Sequence, residues 1–282
     1  MSSLLLRKTL YTSAACVSTG ALYYAFNRNS DTRKMETTKA FPAYQATFSV
    51  PMTCKACTDD ISGALSKVPG IQSTEYSLPD QLVTTTTTTP PSTIISAIQS
   101  TGRTAIIRGT GAANSAAVCI LETPPPPTPI TEPQPSPVRG LARLIQLSDR
   151  ITLLDLTLTG LVKGTYTASI RQAGDISAGA KSMGGVFTGF DGNKKGELGQ
   201  LEVDASGRGA LVGEVDWRVW EMVGRGIIVE KIEADKKGGE NDVVVGVIAR
   251  SAGVWENEKV VCGCSGKTVW EEREEMVGKG ML

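Results

Sequence analysis

The pattern of apolar and polar residues changes character along this chain. In "QATFSVP" (45–51) the two kinds alternate, which suits a strand with one buried face. The following "TCKACTDDISGALSKV" spaces Ile61, Ala64, Leu65 and Val68 along one helical face and stops at Pro69-Gly70. "IQSTEYSL" and "QLVTTTTTT", joined by Pro79-Asp80, read as a β-hairpin, because threonine is a good strand residue. "PPSTIISAIQSTG" predicts a second helix, opening on Pro90, Pro91 and Ser92 and closing before Gly102. "TAIIRG" predicts one more strand.

The resulting order, β-α-β-β-α-β, is the ferredoxin-like split unit, expected over 43–110. "GTGAANS" (109–115) reads as a linker. Beyond it, short runs such as "AAVCILE", "ITLLDLTLTG", "GTYTASIRQ" and "DVVVGVIAR", separated by Gly-rich turns, predict an all-β sandwich or barrel over 114–254. The run "TPPPPTPITEPQPSP" (123–137) has the composition of an interdomain linker. It falls between the first two β-runs, so it is read as an enlarged, exposed hairpin loop. Residues 255–282 form a tail and residues 1–42 an extension.

That extension carries Arg7, Lys8, Arg28, Arg33 and Lys34 against the single acid Asp31 within residues 1–34, and no charge between Thr9 and Phe26. Three readings are open: a transit peptide, a weak membrane segment over 9–26, or a true start at Met35. A cytoplasmic protein with a possible mitochondrial intermembrane-space pool is the expectation.

Charge adds an exclusion. Lys plus Arg and Asp plus Glu both total 29, so the clustered positive surplus of a nucleic-acid binder is missing. The more informative count is histidine, of which there is none. Histidine-based zinc or copper enzymes and imidazole triads are thereby removed, and any metal must sit on sulfur or oxygen. The six cysteines are too few for a secreted disulfide scaffold. They fall into two close pairs, Cys54/Cys57 and Cys262/Cys264, and two singletons, Cys16 and Cys119. Cys119, inside "AAVCILE", reads as a small buried hydrophobe.

Cys54 and Cys57 lie where a strand meets a helix, near unsatisfied backbone N–H groups and the positive helix end, which lower thiol pKa. Two thiolates suit a soft, low-coordinate ion such as Cu(I) and fall short of the four ligands of structural zinc. C-x-x-C also marks thioredoxin-like redox sites, but Met52 makes the motif M-x-C-x-x-C and no Trp-Cys-Gly-Pro context exists. "PMTCKACTDDISGALSKVPGI" resembles the heavy-metal-associated domain of copper chaperones and copper-pumping ATPases. The resemblance implies Cu(I) on Cys54 and Cys57, with Met52 as packing. It also places Arg103 where a cation offsets the dithiolate, the alternative being a plain surface charge.

From Ser115 to about Val254 the chain resembles Cu,Zn superoxide dismutase, through "AAVCILE", "GTYTASIRQAGD", "SMGGVF", "DASGRGALVGEV", "VGRGIIVEK" and "GVIARSAG". The comparison implies that Ser169, Arg171, Val186 and Glu230 occupy the dismutase's copper-histidine positions, and Ala180 and Val245 its disulfide positions. Dismutase activity through that site is therefore not expected, and a docking role is. Trp217, Trp220 and Trp255 are candidate anchors, Trp255 above all, with "RSAGVWENEKVV" expected near the docking face.

In an extended tail, Cys262 and Cys264 have Cα atoms roughly 6.5–7 Å apart, at or beyond the usual disulfide span of about 4.4–6.8 Å. Gly263 permits the tight turn a disulfide needs, and such a bond passes readily by exchange. Taken together, the three parts resemble the copper chaperones for superoxide dismutase, the fungal members most. That implies a non-enzymatic metallochaperone. It would bind Cu(I) at Cys54, Cys57, Cys262 and Cys264, form a heterodimer with Cu,Zn superoxide dismutase, and homodimerise through the dismutase-like domain. A general Cu(I) buffer without a specific target is the alternative.

Overall fold

The computed structural model describes residues 41–124, 138–189, 192, 196–232, 243–257 and 266–278. The expectations for residues 1–34, for Cys16 and for Cys262 and Cys264 lie outside them. Among the described residues no helix is long and apolar enough to cross a membrane.

The first element group is β1 (Tyr44–Ser49), α1 (Lys55–Leu65), β2 (Ile71–Ser77), β3 (Leu82–Thr87), α2 (Pro91–Gln99) and β4 (Ile106–Thr110). Its sheet has the order β2-β3-β1-β4. This is the ferredoxin-like arrangement that the periodicity predicts. The threonine run works as a central strand because its hydroxyls find partners: Thr47 and Thr84 meet at 3.1 Å across β1 and β3. Ile61 and Leu65 on α1 and Ile94 and Ile98 on α2, each pair four residues apart, bury one helical face. They meet Ala46, Phe48, Val50 and Met52.

The second group is a closed eight-stranded barrel. Its strands are β5 (Ala116–Glu122), β6 (Val138–Gln146), β7 (Thr152–Leu158), β8 (Gly164–Arg171), β9 (Glu197–Val203), β10 (Gly209–Val215), β11 (Gly226–Lys231) and β12 (Val243–Ser251). β7 pairs with β10 and β8 with β11, a Greek-key crossing. β5 and β6 pair directly, down to Glu122 opposite Val138; residues 125–137 of the proline-rich run lie outside the described residues. Two helices complete the chain, α3 (Val219–Met222) and α4 (Val269–Gly278).

The two groups are not joined by a loose linker. Gly109 and Thr110 belong to β4, and the next residues are pinned: Gly111 donates to the Gln45 carbonyl at 2.8 Å and Val254 to the Gly111 carbonyl at 3.0 Å. The small residues in "GTGAANS" serve close backbone packing, since a Cβ on Gly109 would collide with the Gly253 carbonyl.

β7 explains the junction. Along "TLLDLTL", Leu154, Leu156 and Leu158 fill the barrel, while Leu153 joins Ile145 of β6 in the ferredoxin-like core. The strand is covered on both sides, as its nearly continuous apolar run requires. Asp155 shares the Leu153 side and is fully buried. Its carboxylate accepts the backbone N–H of Ser92, in the first turn of α2, at 2.8 Å. Arg143 of β6 lies 3.5 Å from the same oxygen. Burial lowers the Arg143 pKa, and the Asp155 charge opposes that fall. Replacing Asp155 with Ala strands the Arg143 charge and the Ser92 amide, so it should cost about 3–5 kcal/mol in chemical denaturation. An unchanged midpoint would remove this clamp from the account.

Candidate metal centre

The strand-to-helix junction after β1 builds the centre. Cys54 is the N-cap of α1 with extended backbone angles (φ −156°, ψ 171°), and its side chain makes no cap hydrogen bond. Its sulfur is thus left for a ligand. Cys57 sits in the first turn and donates its backbone N–H to the Cys54 carbonyl at 3.1 Å. The two sulfurs lie 3.6 Å apart, well beyond the about 2.05 Å of a disulfide and close enough to share one ion. Cys54 is exposed and Cys57 partly so, so both sulfurs can be reached from solvent.

The Cys57 thiol is pulled down to about 6, chiefly by a hydrogen bond from the Thr53 backbone, then by the Arg103 guanidinium and by Cys54. Arg103 is reciprocally raised, first by Cys57 and then by Asp60. Asp60 holds Arg103 with a 3.0 Å ion pair. Of the two readings of Arg103, the geometry favours a cation beside the thiolate over a free surface charge. Met52 is buried under the loop with Phe48. Among the described residues no three Cys, Asp or Glu side chains gather as a metal cluster, so a two-sulfur site for a soft ion is what this loop offers.

The barrel positions singled out for lost ligands do come together. Arg171 bridges to Val186, Ser169 faces Ile228 and Thr167 faces Glu230 on β11, and Arg171 and Glu230 form a 2.9 Å ion pair. A salt bridge thus spans two of the positions that the resemblance assigns to copper ligands. Cys119 is buried and pushed up to about 12 by desolvation, which leaves it an inert packing group.

Trp255 is 58% exposed and lines a cavity of about 660 Å³ with Thr47, Ser49, Arg108 and Trp270. Trp217 is a core residue, as a tryptophan in a β-sandwich usually is, with its ring tilted 44° to that of Phe187 and centroids 4.4 Å apart. Trp220, on α3, is the exposed one of that pair.

The sequence reading missed α4. Its signal was present: Thr268 and Glu271 form a capping box, with the Thr268 N–H donating to Glu271 at 2.7 Å and the Glu271 N–H to the Thr268 hydroxyl at 3.2 Å. Asn257 and Val269 both line the same cavity as Gln81 and Leu82. Leu82 pairs with Ser49, at the sheet end that leads into the Cys54 loop.

Thiol titration checks this description. In the metal-free protein, alkylation of Cys57 should rise with pH through a midpoint near 6, because the thiolate is the nucleophile and forms above that value. Arg103→Ala should move the midpoint upward, and Cys119 should stay unreactive until the protein unfolds. Mass mapping after pulsed alkylation reads all three.

The comparisons agree with this construction. The model of the heavy-metal-associated domain matches residues 47–104. The chain is 42% identical over 263 residues to the superoxide dismutase 1 copper chaperone of Debaryomyces hansenii, covering 85% of this chain and 98% of that protein. It is 40% identical over 247 residues to the protein of the same name in Saccharomyces cerevisiae, covering 84% and 97%. To the human copper chaperone for superoxide dismutase it is 33% identical over 260 residues, covering 83% and 90%. With a two-thiol loop on a ferredoxin-like domain, a dismutase-like barrel behind it and relatives matched along nearly their whole length, the chain belongs to the family of copper chaperones for superoxide dismutase.

Proposed function

We propose that this protein captures Cu(I) on Cys54 and Cys57, docks a Cu,Zn superoxide dismutase subunit against its barrel, and delivers copper and a disulfide through Cys262 and Cys264. The observation that carries the reading is the division of labour. Copper-competent thiols stand on one domain, while the barrel built like the target has an Arg171–Glu230 ion pair where copper would stay.

The docking surface in this reading is the outer face of β5 and β12. Ile120 is 52% exposed and Val247 37%, and both border a shallow groove with Val118, Ile176 and Ala249. This largely apolar groove, with Glu122 at its border, suits association with a related barrel. The same face would support a homodimer, which the target must displace. The tail then works by exchange: one target thiolate opens the Cys262–Cys264 disulfide, a second closes the target's own, and the tail leaves as a dithiol with the two electrons. Dioxygen or another two-electron oxidant must re-form it. In this reading the protein is cytoplasmic, with a mitochondrial intermembrane-space pool where residues 1–34 act as a transit peptide.

Activation of reduced apo-dismutase by the Cu(I)-loaded protein tests the assignment. Cys262→Ser/Cys264→Ser should keep one bound Cu(I) and slow activation at least tenfold. Cys54→Ser/Cys57→Ser should lose activation when copper is limiting. A wild-type rate from the tail variant would falsify the tail's role, and a chain that binds copper but never activates dismutase would be a buffer.

A further inference from the structure

The docking face is made by more than two strands. Between Gln172 and Phe187 the chain leaves β8 as a long loop and returns beside it, with Gln172 N–H donating to Gly185 at 3.1 Å and Ala173 N–H to Met183 at 3.0 Å. The loop is closed on itself. The Ser182 hydroxyl donates to the Asp175 carbonyl at 2.8 Å and accepts the Ala178 N–H at 3.0 Å. Ile176, near its tip, borders the exposed groove with Ile120 and Val247. The position of this loop therefore decides the shape of the face.

Its tether is apolar. Met183 is fully buried and forms, with Ile228 and Val245, a small cluster separate from the barrel interior, against which Ile176, Ala180 and Val243 pack. Gly226 leaves the room, since a Cβ there would overlap the Met183 methyl. Gly174 lets the loop press on β12, where an added Cβ would stand 2.9 Å from a Val247 methyl. Arg225 fastens the loop's base. Its Nη1 donates to the Gln172 carbonyl and its Nε to that of Glu221, each at 2.8 Å. Its guanidinium lies 3.4 Å over the Phe187 ring.

Ala180 and Val245, which the dismutase comparison puts at that enzyme's disulfide positions, thus sit in one cluster around Met183. A bond there would depend on the redox state of the surroundings. A buried thioether does not, and its flexible chain fills an irregular gap well. We propose that Met183 is the keystone of the docking face, holding the 172–187 loop by packing in place of a covalent tie. The face is then complete without oxidation and can receive a dismutase subunit whose own disulfide has not yet formed. The redox part rests on the docking reading above; the tether does not.

Amide exchange in the isolated chain and titration with reduced apo-dismutase, both with and without a thiol reductant, test the two parts separately. For the Cys262→Ser/Cys264→Ser chain, whose tail forms no mixed disulfide with the target, exchange at Ala173 and affinity should be unchanged by reductant. Met183→Ala should speed exchange at Ala173 and weaken the complex, each at least tenfold, with Cu(I) binding at Cys54 and Cys57 intact. Met183→Leu should retain both. Adding Ala180→Cys/Val245→Cys to Met183→Ala should restore the loop only when oxidised. Unchanged exchange at Ala173 in Met183→Ala overturns the keystone, and an affinity of the Cys262→Ser/Cys264→Ser chain that falls with reductant overturns redox independence. If the wild type forms no complex, the docking reading fails, and exchange alone decides the tether.

Discussion

The carboxylate of Asp155 joins the two halves of this molecule. A buried charge on a barrel strand is costly unless it is paired and hydrogen-bonded. Here the partners come from both domains: the Ser92 N–H at the start of α2 and the Arg143 guanidinium of the neighbouring strand. A helix N-terminus has unsatisfied N–H groups and a positive field, so the barrel supplies what α2 lacks and α2 neutralises what the barrel buries. Tyr44 adds to the enclosure. Its hydroxyl donates to the Thr89 carbonyl at 2.6 Å, and burial and the Asp155 charge together raise its pKa. Such a polar knot inside an apolar junction gives orientation more than strength. It fixes where the thiol loop stands relative to the barrel face.

The chemistry follows from where charge is stabilised and where it is cancelled. At the thiol loop, a backbone N–H and Arg103 favour the thiolate, the form that binds a soft ion. In the barrel, Arg171 and Glu230 satisfy each other in an ion pair. That contrast makes the barrel's exposed β5–β12 face, rather than its interior, the part suited to work.

Much of this was legible in the sequence. Periodicities of 2 and 3.6 residues predict the ferredoxin-like order, and short β-runs separated by Gly-rich turns predict an all-β sandwich or barrel. The cysteine spacing and the missing histidines define the chemistry. What was hidden depends on contacts between distant segments. Asp155 interrupts an apolar run, which marks a buried charge but not that its partner would be a helix 63 residues earlier in the chain. Met183 looks like any loop methionine until Gly226 is seen to make space for it. The direction of the chain after Gly253, set by a turn with Trp255 at φ +68°, has no signal in the residue pattern. The Thr268–Glu271 capping box was readable and passed over, since the Gly-flanked cysteines beside it suggested only an extended tail.

The central claim is that copper leaves this chain through a complex with its target. Native mass spectrometry of the Cu(I)-loaded protein mixed with reduced apo-dismutase tests it most directly. The account predicts a species of one chain plus one dismutase subunit, followed by release of a dismutase subunit heavier by one copper. A mixture in which the chain keeps its copper and no mixed species forms would contradict it.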